Sequence, residues 1–391
     1  MDASVFAKML SDPGQLDLKK MGYKYGQENL QEFLTLRKQY FYQELPLHDF
    51  DGNSMVCLDK AVQIPLSAAR VLLAPQQSAS LYGTRAMEEE ILSTFRIEQI
   101  DTSRESVRRI LSGQTPGDDE EHRIYGIKQG LEFIADRSHT ITEENLFRLY
   151  QMTIGDFLPE GDRLLPGHWY RHDGVTVIDS KTEHTGLPWQ KLPAYMKELT
   201  VFATEKAARN DLIKAAILHF ALAYLHPYFD GNGRMARLIH LWYLVQQGYS
   251  SALFVPMSRF VEESCARYYK AYTQVERNQQ ISGVLDVTPF LVYFAEFVYY
   301  RLGEDRPRPR ILHAFEEALR QGKVTEKEWA LWQFVLTAYG SEEFSTKRLE
   351  KDFGDAAYAT IRSFVLKFER LGLLTSVHYG NRVKYQFQDT E

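Results

Sequence analysis

Cysteine is scarce in this chain of 391 residues: there are two, Cys57 and Cys265, far apart in sequence. That excludes a disulfide framework or a cysteine-spaced metal site, and a reducing, cytoplasmic setting is the expectation. Apolar runs are short as well. None reaches the roughly 20 residues a membrane-spanning helix requires, and the amino terminus lacks the basic, apolar and cleavage segments of a secretory signal, so no membrane partner is expected. Charge of one sign is not in large excess. A net charge of -6 argues against a surface built wholly for nucleic acid and leaves room for a local basic patch. What is present is 44% hydrophobic content, ample for the cores of two or three domains.

One stretch concentrates the chemistry: His226-Pro227-Tyr228-Phe229-Asp230-Gly231-Asn232-Gly233-Arg234-Met235-Ala236-Arg237. Before it, Leu212 to Leu225 is apolar on nearly every face, the pattern of a helix buried all round. Pro227 forces that helix to stop at His226. Asp-Gly-Asn-Gly tolerates positive φ, so successive backbone N–H groups can converge on an anion. A second helix is expected from about Asn232 through Val245, ending near Gly248. An anion in the turn then sits at a helix N-terminus, favoured by roughly 0.3 to 2 kcal/mol from the dipole together with the unpaired N–H donors. Arg234 and Arg237, three apart, share one helix face and extend the site toward a polyphosphate. Asp230 beside this cationic pocket suits Mg²⁺ bridging phosphates. His226 is the group here able to take a proton near neutral pH.

These residues resemble the signature of the Fic (Fido) family, H-x-F-x-D/E-G-N-G/K-R-x-x-R, with Tyr228 where the family has phenylalanine. The resemblance implies a mainly α fold, a Fic-type helical bundle with a β-hairpin flap. It implies transfer of AMP from ATP to a hydroxyl side chain of a target protein, which can be the chain itself. His226 would deprotonate the hydroxyl and Asp230 would hold Mg²⁺. The turn from Gly231, Asn232 and Gly233 through Arg234, Met235 and Ala236 to Arg237 would hold the phosphates. Removal of AMP, or transfer of another nucleotide, stays open on the same site. A reading of another class is a winged-helix DNA-binding regulator with a nucleotide-sensing core.

Three further features take their place around this motif. Tyr170 to Ile178 has an Asp173-Gly174 turn signal followed by a β-branched run, the sequence of a hairpin. It occupies the place of the family's flap, and Val175, Thr176, Val177 and Ile178 would pair with an extended target segment. On an expected upstream helix, Ile91, Thr94, Phe95 and Glu98 share one face, and a carboxylate there needs a cationic partner or water. Thr94 to Gln99 resembles the inhibitory motif [S/T]-x-x-x-E-[G/N] of class II members, with Gln99 as the departure. The resemblance implies that Glu98 occupies Arg237 and autoinhibits. Tyr268 and Tyr269 resemble a position lining the adenine pocket, although core packing is an equal alternative. His219 reads as a core histidine, and His168, His172 and His184 flank the flap without metal-ligand spacing.

Punctuation divides the chain into residues 1–115, mostly helical; residues 116–304, with the motif; and residues 311–391, after a linker at Arg306-Pro307-Arg308-Pro309-Arg310. The tail reads as a C-terminal winged helix-turn-helix domain. Thr325 and Glu328 form a capping box, helices are expected over Thr346 to Phe353 and Ala357 to Arg370, and strands Leu374 to Val377 and Lys384 to Phe387 form a wing. Arg362, Lys367, Arg382 and Lys384 are basic candidates for phosphate backbone, but Glu350, Asp352, Asp355 and Glu369 interleave with them. DNA binding is left open and is less favoured than dimerisation or protein docking.

Overall fold

The computed structural model of the protein describes residues 1–73, 79–179, 182–206, 209–249, 251–304, 322–339, 343–354, 356–380 and 382–387. The expected linker at 306–310, with Asp355 and Asn381 of the tail, lies outside the described residues. The structure is mainly helical. It divides into two compact units, Met1–Pro75 with Met87–Gly303, and Gln76–Ala86 with Glu304–Glu391. No described helix is long and apolar enough to cross a membrane.

The first unit begins with α1 (Ala3–Leu10), α2 (Leu18–Tyr25) and α3 (Gln27–Tyr40), which share a small core of Met9, Leu18, Met21, Leu30, Phe33 and Leu34. A hairpin follows, β1 (Gln43–His48) and β2 (Ser54–Cys57), antiparallel. The expectation of a mostly helical start overlooked it. Leu45 and Leu47 alternate inward, and Gly52 at φ +85° makes the turn, a conformation glycine takes without steric cost. Beyond it come α4 (Leu66–Leu73), α5 (Ala79–Ile97), which belongs to this unit from Met87 onward, and α6 (Arg104–Leu111).

The centre of the unit is built on α7 (Asp119–Ala135), α8 (Glu143–Thr153), α9 (Leu192–Thr204), α10 (Asp211–Leu225) and α11 (Asn232–Gln246). Thr142 caps α8 as its spacing predicts, its side chain accepting from the Asn145 N–H at 3.1 Å. Such a cap contributes about 1 kcal/mol. Every residue of α10 from Leu212 to Leu225 except Ala223 is buried, and α11 is buried from Arg234 through Val245. Close packing around both helices fixes where one ends and the other begins, and so fixes the turn between them. α12 (Met257–Glu263), α13 (Cys265–Ser282), α14 (Thr288–Tyr293) and α15 (Tyr300–Glu304) complete the unit. The flap is β3 (Thr176–Asp179) and β4 (Thr182–Thr185), paired from Thr176↔Thr185 to Asp179↔Thr182. The Asp173-Gly174 signal therefore precedes the first strand and is not the turn between the two. The Asp173 carboxylate accepts from the Gly174 N–H at 2.7 Å, a local bend at the flap's entrance.

In the second unit α16 (Glu326–Ala338), α17 (Thr346–Phe353) and α18 (Tyr358–Arg370) precede β5 (Leu374–Tyr379) and β6 (Arg382–Phe387). The Thr325–Glu328 capping box is formed, and Gly354 ends α17 in the left-handed region. The strands run further toward the turn than the sequence suggested, with Tyr379 paired to Arg382 and Gly380 at φ +60° between them. Trp332, Leu349, Ile361, Phe364, Phe368 and Tyr385 are among its core residues. Lys367 meets Glu328 at 2.7 Å and Lys384 meets Glu343 at 3.0 Å.

Candidate active site

Proline at 227 bars the preceding residue from helical backbone, so His226 caps α10 with φ 53° and ψ 60°. A left-handed, non-glycine residue costs roughly 1–2 kcal/mol and persists only where its surroundings hold it. Arg171 supplies that hold. Its Nε donates to the His226 carbonyl at 2.7 Å and its Nη1 to the Asp173 carbonyl at 2.6 Å, while Nη2 donates to Leu187. Its backbone N–H donates to Pro227 at 2.9 Å. One buried guanidinium thus joins the chain before the flap, the chain after it and the motif. No pattern in the sequence marks Arg171 for this.

The imidazole of His226 has Nδ1 3.4 Å from the Ala223 carbonyl, which leaves Nε2 as the free nitrogen. Burial, followed by the neighbouring His184 and, more weakly, Arg171, lowers its pKa to about 4. Desolvation penalises the charged form, and a nearby cation does the same. The ring is therefore unprotonated at neutral pH and can accept a proton.

Across the turn, Gly231 adopts φ 83° as the N-cap of α11. Asn232 is buried and committed to Tyr228, its Oδ1 accepting from the Tyr228 N–H at 2.9 Å and its Nδ2 donating to the Tyr228 carbonyl at 2.8 Å. Its side chain closes the turn, so any cradle here is made of backbone N–H groups, which the first turn of a helix leaves unpartnered. Met235 and Ala236 are fully buried and present only backbone. Tyr228 itself stacks on Tyr150, ring centroids 3.8 Å apart and planes 5° from parallel, so the aromatic anchor survives the exchange for phenylalanine. Asp230 accepts from the Gly231 N–H at 2.5 Å and from Arg234 Nη2 at 2.9 Å. With 55% of its side chain exposed, it presents a hard carboxylate oxygen to the outside of the turn.

Arg234 and Arg237 have different partners. Arg234 stays within the motif, on Asp230. Arg237 reaches α5: Nε donates to Thr94 Oγ1 at 2.9 Å, and Nη2 donates to Glu98 Oε1 at 2.6 Å and the Thr94 carbonyl at 3.3 Å. Arg237 is 4% exposed and Glu98 23%. A Cβ on Gly233 would lie 2.5 Å from Glu98 Oε1, so the carboxylate rests directly on the first turn of α11. It stands where the sequence placed an anion.

Glu98 owes its position to how α5 ends. The Ile100 N–H donates to Phe95 at 2.9 Å and the Gln99 N–H to Arg96 at 3.1 Å, the paired closing bonds of a Schellman motif. That motif needs a left-handed residue, and Gln99 supplies it at φ 56°. Glycine or asparagine suits this place for a physical reason, the low cost of positive φ.

The remaining candidates are less closely gathered. Tyr268 is buried, its hydroxyl 2.8 Å from His219 Nε2, which makes it and His219 core residues. Tyr269 is 41% exposed and packs edge to face against Tyr268, ring centroids 5.3 Å apart. In the flap, Val175 is half-buried and Thr176 exposed; the side chains of Val177 and Ile178 lie outside the described residues. The Val175 carbonyl accepts from Gly186 at 3.0 Å, and the Leu187 N–H donates to Leu225 at 3.2 Å. His184 on β4 meets Glu276 and the carbonyl of Tyr224, contacts that the sequence reading did not anticipate.

Comparison with known proteins finds likenesses of one kind. Residues 140–244 match the Fic/DOC family. Protein adenylyltransferase Fic of Drosophila ananassae is 22% identical over 299 residues, covering 70% of this chain and 56% of that protein. The protein of the same name from Nematostella vectensis is 24% identical over 207 residues, covering 48% and 43%. Among solved structures, a Fic family protein from Desulfovibrio desulfuricans G20 aligns at TM-score 0.48 and 18% identity, covering 79% of this chain and 88% of that one. The match to a Fic domain is confined to residues 140–244. The chain spans about half the length of the curated relatives it matches.

Proposed function

We propose that this chain is a protein adenylyltransferase, transferring AMP from ATP to a hydroxyl side chain of a target protein, and that Glu98 restrains it. The observation that carries the reading is the place of the Glu98 carboxylate, bonded to Arg237 and lying on the Gly233 turn of α11. An anion already sits in an anion site, held by the guanidinium that an outer phosphate would need. In the transfer, the target oxygen attacks the α-phosphorus and its proton passes to His226 Nε2. The bond from the α-phosphorus to the oxygen bridging to the β-phosphate breaks, and pyrophosphate leaves. Backbone donors of the Gly231–Arg234 turn and the two arginines hold the phosphates, and β3, paired with β4 on one side and with no strand on its other side among the described residues, offers an edge to an extended target segment. Tyr269 is the better placed of the two tyrosines to face a purine.

Asp230 fits a role at Mg²⁺. It is exposed, and this ion commonly takes one or two carboxylates and completes its shell with phosphates and water. Bound there with nucleotide, it would neutralise phosphate charge. The second unit suits a winged helix-turn-helix that docks protein, because Lys367 and Lys384 are already paired with carboxylates. Incubation with ATP labelled at the α-phosphate tests the reading. Glu98→Gly should raise self-labelling by about tenfold or more, the effect of freeing a site otherwise rarely open. His226→Ala in that background should lower it by about 10² to 10⁴. Equal labelling with and without His226 removes its role as base, and no gain from Glu98→Gly removes the restraint.

A further inference from the structure

His184, on β4, is bound to two other elements of its unit. Its Nδ1 lies 2.5 Å from Glu276 Oε1 on α13, and its Nε2 lies 2.9 Å from the Tyr224 carbonyl in the last turn of α10. Both partners are acceptors, since an ionised carboxylate and a carbonyl have no hydrogen to give. Both contacts are hydrogen bonds only if both ring nitrogens carry hydrogen, which makes the ring a cation. It faces a carboxylate, and it lies at a helix C-terminus, where unpaired carbonyls and the macrodipole attract positive charge. Phe50, from the tip of the first hairpin, closes over the ring at a centroid distance of 6.1 Å, and His226 lies on another side at 6.2 Å. Charged groups around the ring are Glu276 from α13 and Arg171 and Asp230 around His226; Asp49, at the hairpin tip, is held by Gln279 of α13.

We propose that His184 is a positioning residue for the transfer: as an imidazolium it clamps β4 to the C-terminus of α10 and to Glu276, and so sets the flap and its target edge against His226. The inference rests on the proposed role of His226 as base. The clamp acts one residue pair beyond the register Thr176↔Thr185, at Val177↔His184, so it holds the middle of the hairpin and not only its base. The same cation, standing beside His226, makes it harder to protonate the base, consistent with the lowering already described.

Two measurements on the full chain test this without any nucleotide. In ring-nitrogen NMR, His184→Gln should raise the His226 titration midpoint by about one unit, because a cation some 6 Å away is removed. In hydrogen exchange, amides of β4 and the Gly186 N–H should exchange at least about tenfold faster. Glu276→Gln, which loosens the clamp from α13, should speed the same amides, and it decides the matter alone if His184→Gln does not fold. An unmoved midpoint in folded His184→Gln, or unchanged exchange in either variant, overturns the clamp. In the Glu98→Gly background, His184→Gln should lower the self-labelling rate about tenfold with the apparent KM for ATP unchanged, as loss of target alignment does. A rise in KM for ATP instead overturns the positioning role. Absence of labelling in every variant bears on the proposed activity and leaves the two nucleotide-free measurements standing.

Discussion

The motif turn and the flap stand side by side over His226, and they are held in opposite ways. The turn from Tyr228 to Arg234 is held by its own neighbours: Asp230 to Gly231 and Arg234, and Asn232 to Tyr228, all within five residues. The flap is held by distant partners, Arg171 to the His226 carbonyl across 55 residues and His184 to Glu276 across 92. A site built from near neighbours is prefixed by the two helices on either side. A site edge built from distant partners depends on the whole unit being folded, and such contacts are the ones a change in conditions loosens first.

That contrast is best broken at Arg171. Arg171→Met leaves three carbonyls without their donor, and the chain should lose about 3–5 kcal/mol of stability, read as a lower urea midpoint. Arg171→Lys, with one donor group in place of a fork, should recover only part of it. A loss under about 1 kcal/mol would mean that the flap and turn are joined by other means.

Acid offers a second, smaller probe. Burial holds His226 near 4 and His240 near 3, whereas an unfolded chain binds those protons near 6.5. Between those limits the unfolded state takes up more protons, so stability falls as pH drops below about 6.5 and is unaffected by these groups above it. The expected loss from pH 7 to pH 4.5 is on the order of 5 kcal/mol in total. His240→Phe should flatten the profile; an unchanged profile would assign the acid sensitivity to other groups.

The smallest effect concerns the end of α5. Gln99→Gly relieves a left-handed residue and should raise stability by about 1 kcal/mol, observable as a rise in Tm of a few degrees or less. Because that stabilisation falls on the segment placing Glu98, self-labelling should fall along with it. A rise in labelling would separate the helix end from the restraint.

These differences also mark what was legible in the chain. The motif was readable because proline, glycine, acid and arginine fall within one turn, where spacing and geometry are nearly the same thing. Thr142 and Thr325 could be read as caps for the same reason. The first hairpin was missed because Asp51-Gly52 sits between strands too short to show a strong alternation, and the flap's turn was placed early because Asp173-Gly174 is a bend of the wrong kind. Arg171, His184 and Glu276 carried no local signal at all: a lone charged residue looks solvated until the fold shows what surrounds it. Tyr268 and Tyr269 are adjacent in sequence, yet one is core and one is surface, a difference that follows from helix rotation.

Gly233 has one more consequence, for how this protein can change over generations. A side chain there would collide with the Glu98 carboxylate and come within 3.4 Å of Arg237 Nη1, in the same space a nucleotide phosphate would require. Under the proposed restraint, mutations at this position cannot switch the protein permanently on, since whatever expels Glu98 also fills the seat it vacates. Hyperactive variants should arise on α5 and its terminus, and a screen for them should return changes at Thr94, Glu98 or their supports while Gly233 stays untouched.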